Sequence, residues 1–268
     1  MSELTTWPDL LVTVEGPVAQ VTLNRPGARN ALSGALMRQL TEVAAHFRAS
    51  TNVQAIILTG AATYFSAGAD LADPDREAAR ARTMIERRQH ARLGPDMCAA
   101  WESLEQVTIG AIECYCIGGG AALMVSLDFR IAGEGAYLRL PEIALGMNMS
   151  WRSLPRIAAL VGPSRAKQFA IFCEPCDADQ ALAWGLIDQK TSAGGALAAA
   201  HAWAAKVADL PPIPVRMTKE AINAATNALH QAASMMDRDQ WMLTSGSADF
   251  AEGSRAFVEK RKPVFKGD

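Results

Sequence analysis

The sequence predicts an α/β protein with a layered core, in which short apolar strands alternate with amphipathic helices. Two β-rich segments, residues 11–14 and 18–23, flank a Gly16-Pro17 turn and predict a hairpin. Residues 53–59 form a continuous apolar run, which is typical of a strand buried on both faces. The spacing between these strands leaves room for one helix.

The rest of the chain continues this alternation. Ser33 can cap a helix that extends to about residue 49. The further predicted elements are a surface helical segment at 72–95, a helix at 97–104, a strand at 108–112, a helix at 121–127, a strand at 129–132, and helices at 163–172 and 177–184. Prolines within residues 211–214 mark a boundary before a helical end. We therefore expect a core over residues 1–200 and a C-terminal helical region over residues 201–268.

The composition argues against several classes of partner and location. The 268 residues carry a formal net charge of −2, and 50% of them are hydrophobic, which is ordinary for a globular protein. This balance argues against nucleic acid or an anionic membrane as a partner. The first residues lack the features of a secretory signal, and no segment approaches the ~18 consecutive apolar residues of a spanning helix. We therefore expect a cytoplasmic protein.

Five cysteines raise the question of a metal site. Cys114 and Cys116 form a CxC pattern and Cys173 and Cys176 a CxxC pattern, so four thiolates could hold zinc if the pairs met in space. The first pair lies in an apolar run, where cysteine packs as a small hydrophobic residue, and the spacing matches no zinc ribbon. We therefore predict neither a metal nor, because the number is odd and the chain looks unsecreted, disulfides.

Two glycine-containing loops carry the clearest chemical signal. Residues 64–70 (YFSAGAD) follow the strand predicted at 53–59, and residues 117–120 (IGGG) precede a predicted helix. Glycine lets the backbone approach a ligand, and a helix N-terminus offers free N–H groups. Two such groups directed at one oxygen stabilise negative charge there, by about 3–4 kcal/mol per donor. The alternative for the triple glycine is a tight turn between a strand and a helix. The segment is not a nucleotide-binding motif, because neither a G-x-G-x-x-G fingerprint nor a P-loop is present.

Glu142 is the candidate acid–base group. It lies between Pro141 and the apolar residues 143–145, so we expect partial burial. A desolvated carboxylate has a raised pKa and can exchange protons near neutral pH. The alternative is a solvated surface carboxylate.

Several segments in the same order resemble one known superfamily. They are Asn24-Arg25-Pro26, residues 29–32 (RNAL), residues 65–70 (FSAGAD), Gly118-Gly119-Gly120, Pro141-Glu142, residues 181–187 (ALAWGLI) and residues 257–263 (FVEKRKP). Together they resemble the enoyl-CoA hydratase/isomerase (crotonase) superfamily over nearly the whole chain. Their agreement in order is more specific than any single segment.

The resemblance implies a crotonase-like spiral of ββα units, with a C-terminal helical region that builds a homo-trimer or a dimer of trimers. It implies an acyl-CoA thioester substrate, with coenzyme A carried as part of the substrate and no prosthetic group. The N–H groups of Ala69 and Gly119 are expected to hold the thioester carbonyl oxygen, with Glu142 as catalytic acid–base. Contacts to coenzyme A are expected from Arg29, Ala31, Ser66, Ala67, Asp70, Leu71, Ile117 and Gly118. The guanidinium of Arg29 suits a phosphate, and its alternative is an ordinary surface arginine.

The sequence departs from the family pattern at residue 122. The hydratases that it resembles use glutamates at the positions of Ala122 and Glu142, and only the second is present. Alanine can neither position nor deprotonate water, whereas one base suffices for a 1,3-proton shift. An enoyl-CoA isomerase reaction is therefore favoured. The alternatives are hydration with water held otherwise, decarboxylation, C–C bond chemistry on an enolate, thioester hydrolysis, a non-catalytic acyl-CoA binding protein, and an assembly protein without a ligand.

A second departure follows Glu142. Where relatives often have Pro-Gly-x-Gly-Gly, residues 147–153 read MNMSWRS. We place Leu145, Ser150 and Trp151 at the acyl pocket, which Trp151 makes crowded and flat-walled. Ser150 is either a polar contact to substrate or a helix cap.

Glu113 and His90 are further candidates. Glu113 is either a second acid in the site or a structural partner on the far face of its strand, since strand side chains alternate faces. His90 lies in the charged segment 72–95 and is either a proton carrier or a surface histidine.

Overall fold

The computed structural model describes residues 7–61, 63–78 and 81–268, with the side chains of all but residues 76 and 77. Six strands form its larger sheet within these residues. They are β1 (Leu10–Glu15), β2 (Val18–Leu23), β3 (Ala55–Gly60), β4 (Val107–Ile112), β6 (Phe129–Gly133) and β9 (Gln189–Thr191), in the spatial order β1-β2-β3-β4-β6-β9. β1 and β2 form the predicted antiparallel hairpin, and the other neighbours pair in parallel.

A smaller sheet lies beside the larger one. Its strands are β5 (Tyr115–Ile117), β7 (Tyr137–Arg139) and β8 (Cys176–Asp177), in the order β5-β7-β8. Each of β5 and β7 follows a strand of the larger sheet after a short connection. This succession agrees with the spiral of ββα units that the sequence resemblance implies.

Helices cover both faces of the larger sheet. They are α1 (Gly34–Arg48), α2 (Pro74–Ala78), α3 (Met84–His90), α4 (Leu93–Glu102), α5 (Gly119–Met124), α6 (Ser153–Val161), α7 (Pro163–Phe172), α8 (Ala178–Trp184), α9 (Ala196–Ala208), α10 (Pro212–Thr226), α11 (His230–Ala233), α12 (Asp237–Thr244) and α13 (Ala248–Glu259). Ile56 and Leu58 of β3 point into the core that contains α1 and α4, whereas Ile57 points into the core that contains α9. The prediction that this strand is buried on both faces is therefore confirmed.

Local signals in the sequence place several helix ends. The Ser33 hydroxyl accepts a hydrogen bond from Leu36 N at 3.2 Å and caps α1, as predicted. Within the segment 72–95 the structure has α2, α3 and the start of α4. The helix predicted from residue 121 begins two residues earlier, at Gly119, so that the glycines themselves form its first turn.

The junction between the core and the C-terminal helices lies later than residue 200. That boundary falls inside α9, whose Ala196, Ala200 and Ala204 are fully buried against the larger sheet. The prolines that mark the boundary in the sequence start α10, with Pro212 in its first turn, where the fixed φ of proline suits a helix. The whole of α9 therefore belongs to the core layer.

Three findings bear on the composition-based expectations. No helix among the described residues is long and apolar enough to cross a membrane. The described residues also contain no cluster of three or more His, Cys, Asp or Glu side chains suited to a metal ion. Cys116 is buried as expected for its apolar run, but Cys114 is exposed, with a φ of 55° in the connection between β4 and β5. The expectation that Cys114 packs as a buried hydrophobic residue was therefore wrong.

Candidate active site

The first loop of the site is held against the start of α1. Leu32 N–H donates to Gly68 O at 2.8 Å, and Asp70 N–H donates to Leu32 O at 3.1 Å. In such a parallel bridge the residue between the two bonded groups directs its own N–H away from the partner strand. The Ala69 N–H therefore faces the opposite side of the loop, where a ligand can accept from it.

The second N–H group comes from the start of α5. Gly119 is the first residue of this helix, and the N–H groups of a first helical turn have no partner inside the helix. The loop comes close to it at Gly68, which has a φ of +91°. A methyl group on Gly68 would lie 2.7 Å from Ile117 O and 3.5 Å from Gly119 N. Only glycine allows this approach, which brings the peptide groups next to Gly68 and Gly119 together.

Glu142 lies next to these donors. It precedes a single 3-10 turn, Ile143–Leu145. A Cβ on Gly118 would lie 2.6 Å from Glu142 Oε1, so the carboxylate rests against the backbone one residue before Gly119. Glu142 Oε2 is shielded from solvent and has no hydrogen-bond partner among the described residues. Burial raises the pKa of Glu142 to about 7, and the positive charge of Arg139 only partly opposes this. The carboxyl group can therefore take and return a proton near neutral pH.

The position of the second hydratase glutamate is occupied by a buried alanine. Ala122 is fully buried, and it follows Gly119 by three residues, so that both lie on the same face of α5. Trp151 covers this face: a Cβ on Gly119 would lie 2.4 Å from its Cζ3 atom. The start of α5 is thus packed against an aromatic ring.

Ser150 does not cap a helix through its side chain. α6 begins after Arg152, without a side-chain cap, and the Ser153 hydroxyl instead donates to Ser150 O at 2.8 Å. The interpretation of Ser150 as a cap is therefore wrong. Ser150 is buried beside Trp151, and its role as a substrate contact stays a prediction.

Leu145 is the last residue of the 3-10 turn that follows Glu142, and its place in the acyl pocket stays a prediction. Its backbone packs on α13, where a Cβ on Gly253 would lie 2.6 Å from Leu145 O. The same turn lies beside Cys173: burial and the nearby Glu142 raise the pKa of this thiol, and the backbone of Ala144 and Ile143 partly opposes the rise. Sequence reasoning missed this proximity, since nothing near Cys173 marks it as a neighbour of Glu142.

Ser66 begins the loop of residues 66–71, where contacts to coenzyme A are predicted. This side chain is fully buried, donates to Asn30 O at 2.7 Å, and accepts from Gly68 N at 3.1 Å. The Ser66 hydroxyl therefore anchors the loop, and the contact of this residue to coenzyme A stays a prediction. Asn30, which the sequence reasoning missed, is also fully buried, with a φ of 52° that asparagine tolerates better than most residues.

Asp70 is likewise engaged within the chain. Arg25 Nη1 donates to Asp70 Oδ2 at 3.0 Å, and Ala72 N donates to Asp70 Oδ1 at 3.0 Å. Arg25 therefore fixes the end of the loop, a role that its place in the Asn-Arg-Pro segment did not reveal. Ala67 N–H donates to Arg29 O at 3.1 Å, which joins this loop to the one at residues 29–31.

The remaining predicted coenzyme A residues fall into two groups. Arg29 and Leu71 are exposed at the mouth of the site, where their side chains can meet a large ligand. Ala31 is buried, and Ile117 and Gly118 form the backbone that leads into α5. The aromatic rings of Tyr64 and Tyr115, stacked at 5.3 Å and nearly parallel, cover the strand beside this mouth.

Glu113 lies outside the site, and His90 packs at the start of α1. Glu113 Oε1 accepts from Ala196 N at 3.0 Å and Oε2 from Gly194 N at 3.1 Å, which caps the start of α9. The structural interpretation of Glu113 is confirmed and the second-acid interpretation is wrong. His90 packs near Gly34 at the start of α1, and burial and then Arg82 lower its pKa.

Another cavity does not belong to this site. It has a volume of about 730 Å³ and lies between α10 and the start of β4 and β6. The loops that carry Ala69 and Gly119 follow the opposite ends of the strands. At the cavity, Lys219 Nζ pairs with Asp128 Oδ2 at 2.6 Å.

Known proteins resemble the chain over almost its full length. Residues 13–268 match the model of the enoyl-CoA hydratase/isomerase family. The 2,3-dehydroadipyl-CoA hydratase of Escherichia coli K12 is 32% identical over 259 residues, which cover 97% of this chain and 99% of that protein. The short-chain-enoyl-CoA hydratase of Clostridium acetobutylicum is 31% identical over 95% of this chain and 96% of its own length. The crystal structure of an enoyl-CoA hydratase from Mycobacterium avium subsp. paratuberculosis K-10 aligns with a TM-score of 0.86 at 26% identity, over 97% of this chain and 100% of that one.

The ββα spiral and the pair of backbone N–H groups define a protein of the crotonase type. The chain belongs to the enoyl-CoA hydratase/isomerase family and is an acyl-CoA enzyme.

Proposed function

We propose that this enzyme moves a double bond within an enoyl-CoA thioester, with Glu142 as its single acid–base group. The observation that carries the proposal is the combination of a shielded Glu142 carboxyl group, with a pKa of about 7, and an alanine at the position where the hydratases that the sequence resembles carry a second glutamate. One proton-transfer group is in place, and Ala122, which is fully buried, supplies no second carboxylate.

The reaction follows from these positions. The thioester carbonyl oxygen accepts hydrogen bonds from the Ala69 and Gly119 N–H groups. Glu142 removes a proton from one carbon of the enoyl system, and the electron pair moves into the conjugated system as a dienolate whose charge rests on the carbonyl oxygen. Each donor stabilises that charge by about 3–4 kcal/mol. Protonated Glu142 then returns the proton two carbons away, so the product is an isomer and nothing else is consumed.

Coenzyme A enters as part of the substrate. Arg29 is exposed at the mouth of the site, and its guanidinium suits a phosphate of the coenzyme. The backbone of residues 66–71 and 117–118 then borders the path of the pantetheine chain into the site. No prosthetic group is needed, because a proton shift requires only a base and a stabilised enolate.

Hydration is the second candidate. The relatives named above are hydratases by name, and this favours addition of water to a 2-enoyl-CoA. With Ala122 buried, Glu142 alone has to activate the water and supply the proton. We therefore place isomerisation first.

Product analysis in D₂O separates these functions. Incubation of the enzyme with a 3-enoyl-CoA should give the 2-enoyl-CoA, with deuterium incorporated at the α- or γ-carbon and seen by mass spectrometry. Accumulation of 3-hydroxyacyl-CoA at a comparable rate would favour the hydratase. Binding without any exchange would leave a non-catalytic acyl-CoA binding protein. Glu113→Gln is a matched control for Glu142→Gln, because it removes a carboxylate that caps α9 outside the site.

We also propose that copies of the chain assemble into trimers through the C-terminal helices. Large apolar side chains are exposed there over α10–α12 and their connections: Ile213, Met217, Ile222, Leu229, Met235 and Leu243. An apolar surface of this extent typically becomes covered by another protein surface. Light scattering coupled to size-exclusion chromatography should give three or six times the chain mass of 28.6 kDa, and a monomer mass would contradict this.

A further inference from the structure

Trp151 and Arg152 have an unusual backbone conformation. Their φ values are 63° and 57°, so two consecutive residues with large side chains are left-handed. Such a conformation costs free energy for any residue other than glycine, and it persists only where the surrounding structure holds it. Strain of this kind concentrates at functional sites.

A buried ion pair holds this loop on one side. Arg156 Nη1 donates to Trp151 O at 3.3 Å and to Arg152 O at 3.2 Å. Arg156 is itself fixed by Glu102 through two bonds, Nε to Oε1 at 2.6 Å and Nη2 to Oε2 at 2.7 Å. Arg156 is only 3% exposed, so its guanidinium cannot move away without losing partners inside the protein.

The C-terminal helices hold the loop on the other side. Arg152 N–H donates to Asp237 Oδ2 at 2.8 Å, at the start of α12. Thr244, at the end of α12, donates its hydroxyl to Asn148 Oδ1 at 2.7 Å, just before Trp151 in the chain. The loop is thus tied to both ends of α12.

The indole of Trp151 fills the gap between α4 and α5. A Cβ on Gly94 would lie 2.1 Å from Trp151 Cε2, and a Cβ on Gly119 would lie 2.5 Å from its Cη2. Both helices lack a side chain where the ring passes. The ring is therefore fixed directly beside Gly119, whose N–H is a proposed carbonyl donor, and Trp151 remains partly exposed.

We propose that Trp151 is the specificity-determining wall of the acyl pocket and restricts the substrate to short hydrocarbon acyl chains. This rests on the proposed binding of the thioester carbonyl at Ala69 and Gly119. A chain that begins there and passes Glu142 meets the indole within a few carbons. A longer chain has to displace a ring that Gly94, Gly119 and the strained loop hold in place. Asp237 and the Glu102–Arg156 pair are positioning residues that act through Trp151.

Binding and turnover should be measured on the full-length enzyme with a series of thioesters. Saturated acyl-CoA thioesters of four, eight and twelve carbons give Kd by calorimetry, and the matching enoyl-CoA thioesters give kcat/KM. The native enzyme should prefer the four-carbon thioesters to the eight-carbon ones by about tenfold or more, a discrimination within the range of hydrophobic pockets. Trp151→Ala should reduce or invert this ratio, and Trp151→Phe should keep most of it.

Asp237→Asn provides a second variant that leaves the indole in place. Loss of the charge that holds Arg152 N–H should weaken the length preference in the same direction as Trp151→Ala, by a few fold. A merely structural role of Asp237 would lower the Tm and leave the ratio between chain lengths unchanged.

The outcomes separate this proposal from the proposed function. Absence of binding to every acyl-CoA would overturn both. Binding with equal affinity for short and long chains, or a folded Trp151→Ala variant with the native length profile, would overturn the role of Trp151 alone. If Trp151→Ala does not fold, the native profile and the Trp151→Phe and Asp237→Asn ratios still decide the question.

Discussion

The two walls of the active site are built on opposite principles. One wall consists of Ala69, Gly119 and Glu142. Glu142 Oε2 has no hydrogen-bond partner among the described residues, and the Gly119 N–H belongs to a first helical turn, where it has no partner inside the helix. The other wall consists of the buried Ala122 and of Trp151, whose indole ring packs against Gly119. In the proposed reaction, the first wall stabilises the enolate intermediate, and the second limits what can react with it. Two enzymes can therefore share an oxyanion hole and differ in reaction because only one wall has changed.

Removal of the carboxylate should have the largest effect. Glu142→Gln should lower kcat by roughly 10²–10⁴-fold, which is the usual contribution of a general acid–base group. The Kd for a saturated acyl-CoA should change little, because the backbone N–H groups and the coenzyme contacts remain. Near-native turnover in this variant would remove Glu142 from the mechanism, and Glu113→Gln should keep its activity.

The pKa of Glu142 predicts opposite pH trends for activity and stability. Activity requires the carboxylate, so kcat/KM should rise with pH through about 7 and then level off. The folded pKa is raised from 4.5 to about 7, so the native state binds a proton that the unfolded state has released between these values. Stability from this group should therefore fall as pH rises over that window, by about 3 kcal/mol in all.

The same variant makes this stability trend measurable. The glutamine of Glu142→Gln carries no charge at any pH. In urea unfolding, the unfolding free energy of this variant should therefore increase relative to that of the native enzyme between pH 4.5 and 7. A constant difference in unfolding free energy across this window would mean that the carboxyl group is well solvated.

Restoring the second glutamate should damage the apolar wall. Ala122→Glu introduces a carboxylate at a fully buried position beside Trp151, and overpacking together with desolvation should cost about 3 kcal/mol of unfolding free energy. We expect no gain in hydration of 2-enoyl-CoA. A stable variant with faster hydration would show that the wall has room for water and an acid.

The smallest effect is expected at the mouth of the polar wall. Arg29→Ala should raise KM by about tenfold and leave kcat unchanged, because a charge-assisted bond to phosphate is lost outside the reacting centre. The difference should shrink at high salt. Arg48→Ala removes another exposed arginine, at the end of α1, and should leave KM at the native value.

The sequence predicted the polar wall better than the apolar one. The loops at Ala69 and Gly119 are continuous motifs beside strands with a clear apolar pattern. Their glycines and their position next to a strand or helix could therefore be recognised from a few neighbouring residues. Glu142 was found from its apolar neighbours in the same way. The packing of the Trp151 ring depends on Gly94 in α4 and Gly119 in α5. These glycines are distant from Trp151 in the sequence, and neither of them alone indicates that an aromatic ring packs against it.

Two other side chains have partners that the sequence did not reveal. Ser66 has the composition of a ligand-binding loop, but its hydroxyl is used by Asn30, whose left-handed backbone turns the carbonyl towards it. Glu113 follows a buried strand, as a catalytic acid could. Its carboxylate instead accepts hydrogen bonds from Gly194 N and Ala196 N at the start of α9. Partners of this kind are set by tertiary packing, and a single sequence does not reveal them.

The indole held between two glycines limits the order in which this pocket can change during evolution. While Trp151 is present, any side chain at Gly94 or Gly119 would overlap its ring. A lineage that widens its substrate range therefore has to replace the tryptophan first, and only then are the glycines released. Among relatives, we expect a non-glycine residue at the position of Gly94 to occur only where a smaller residue stands at the position of Trp151.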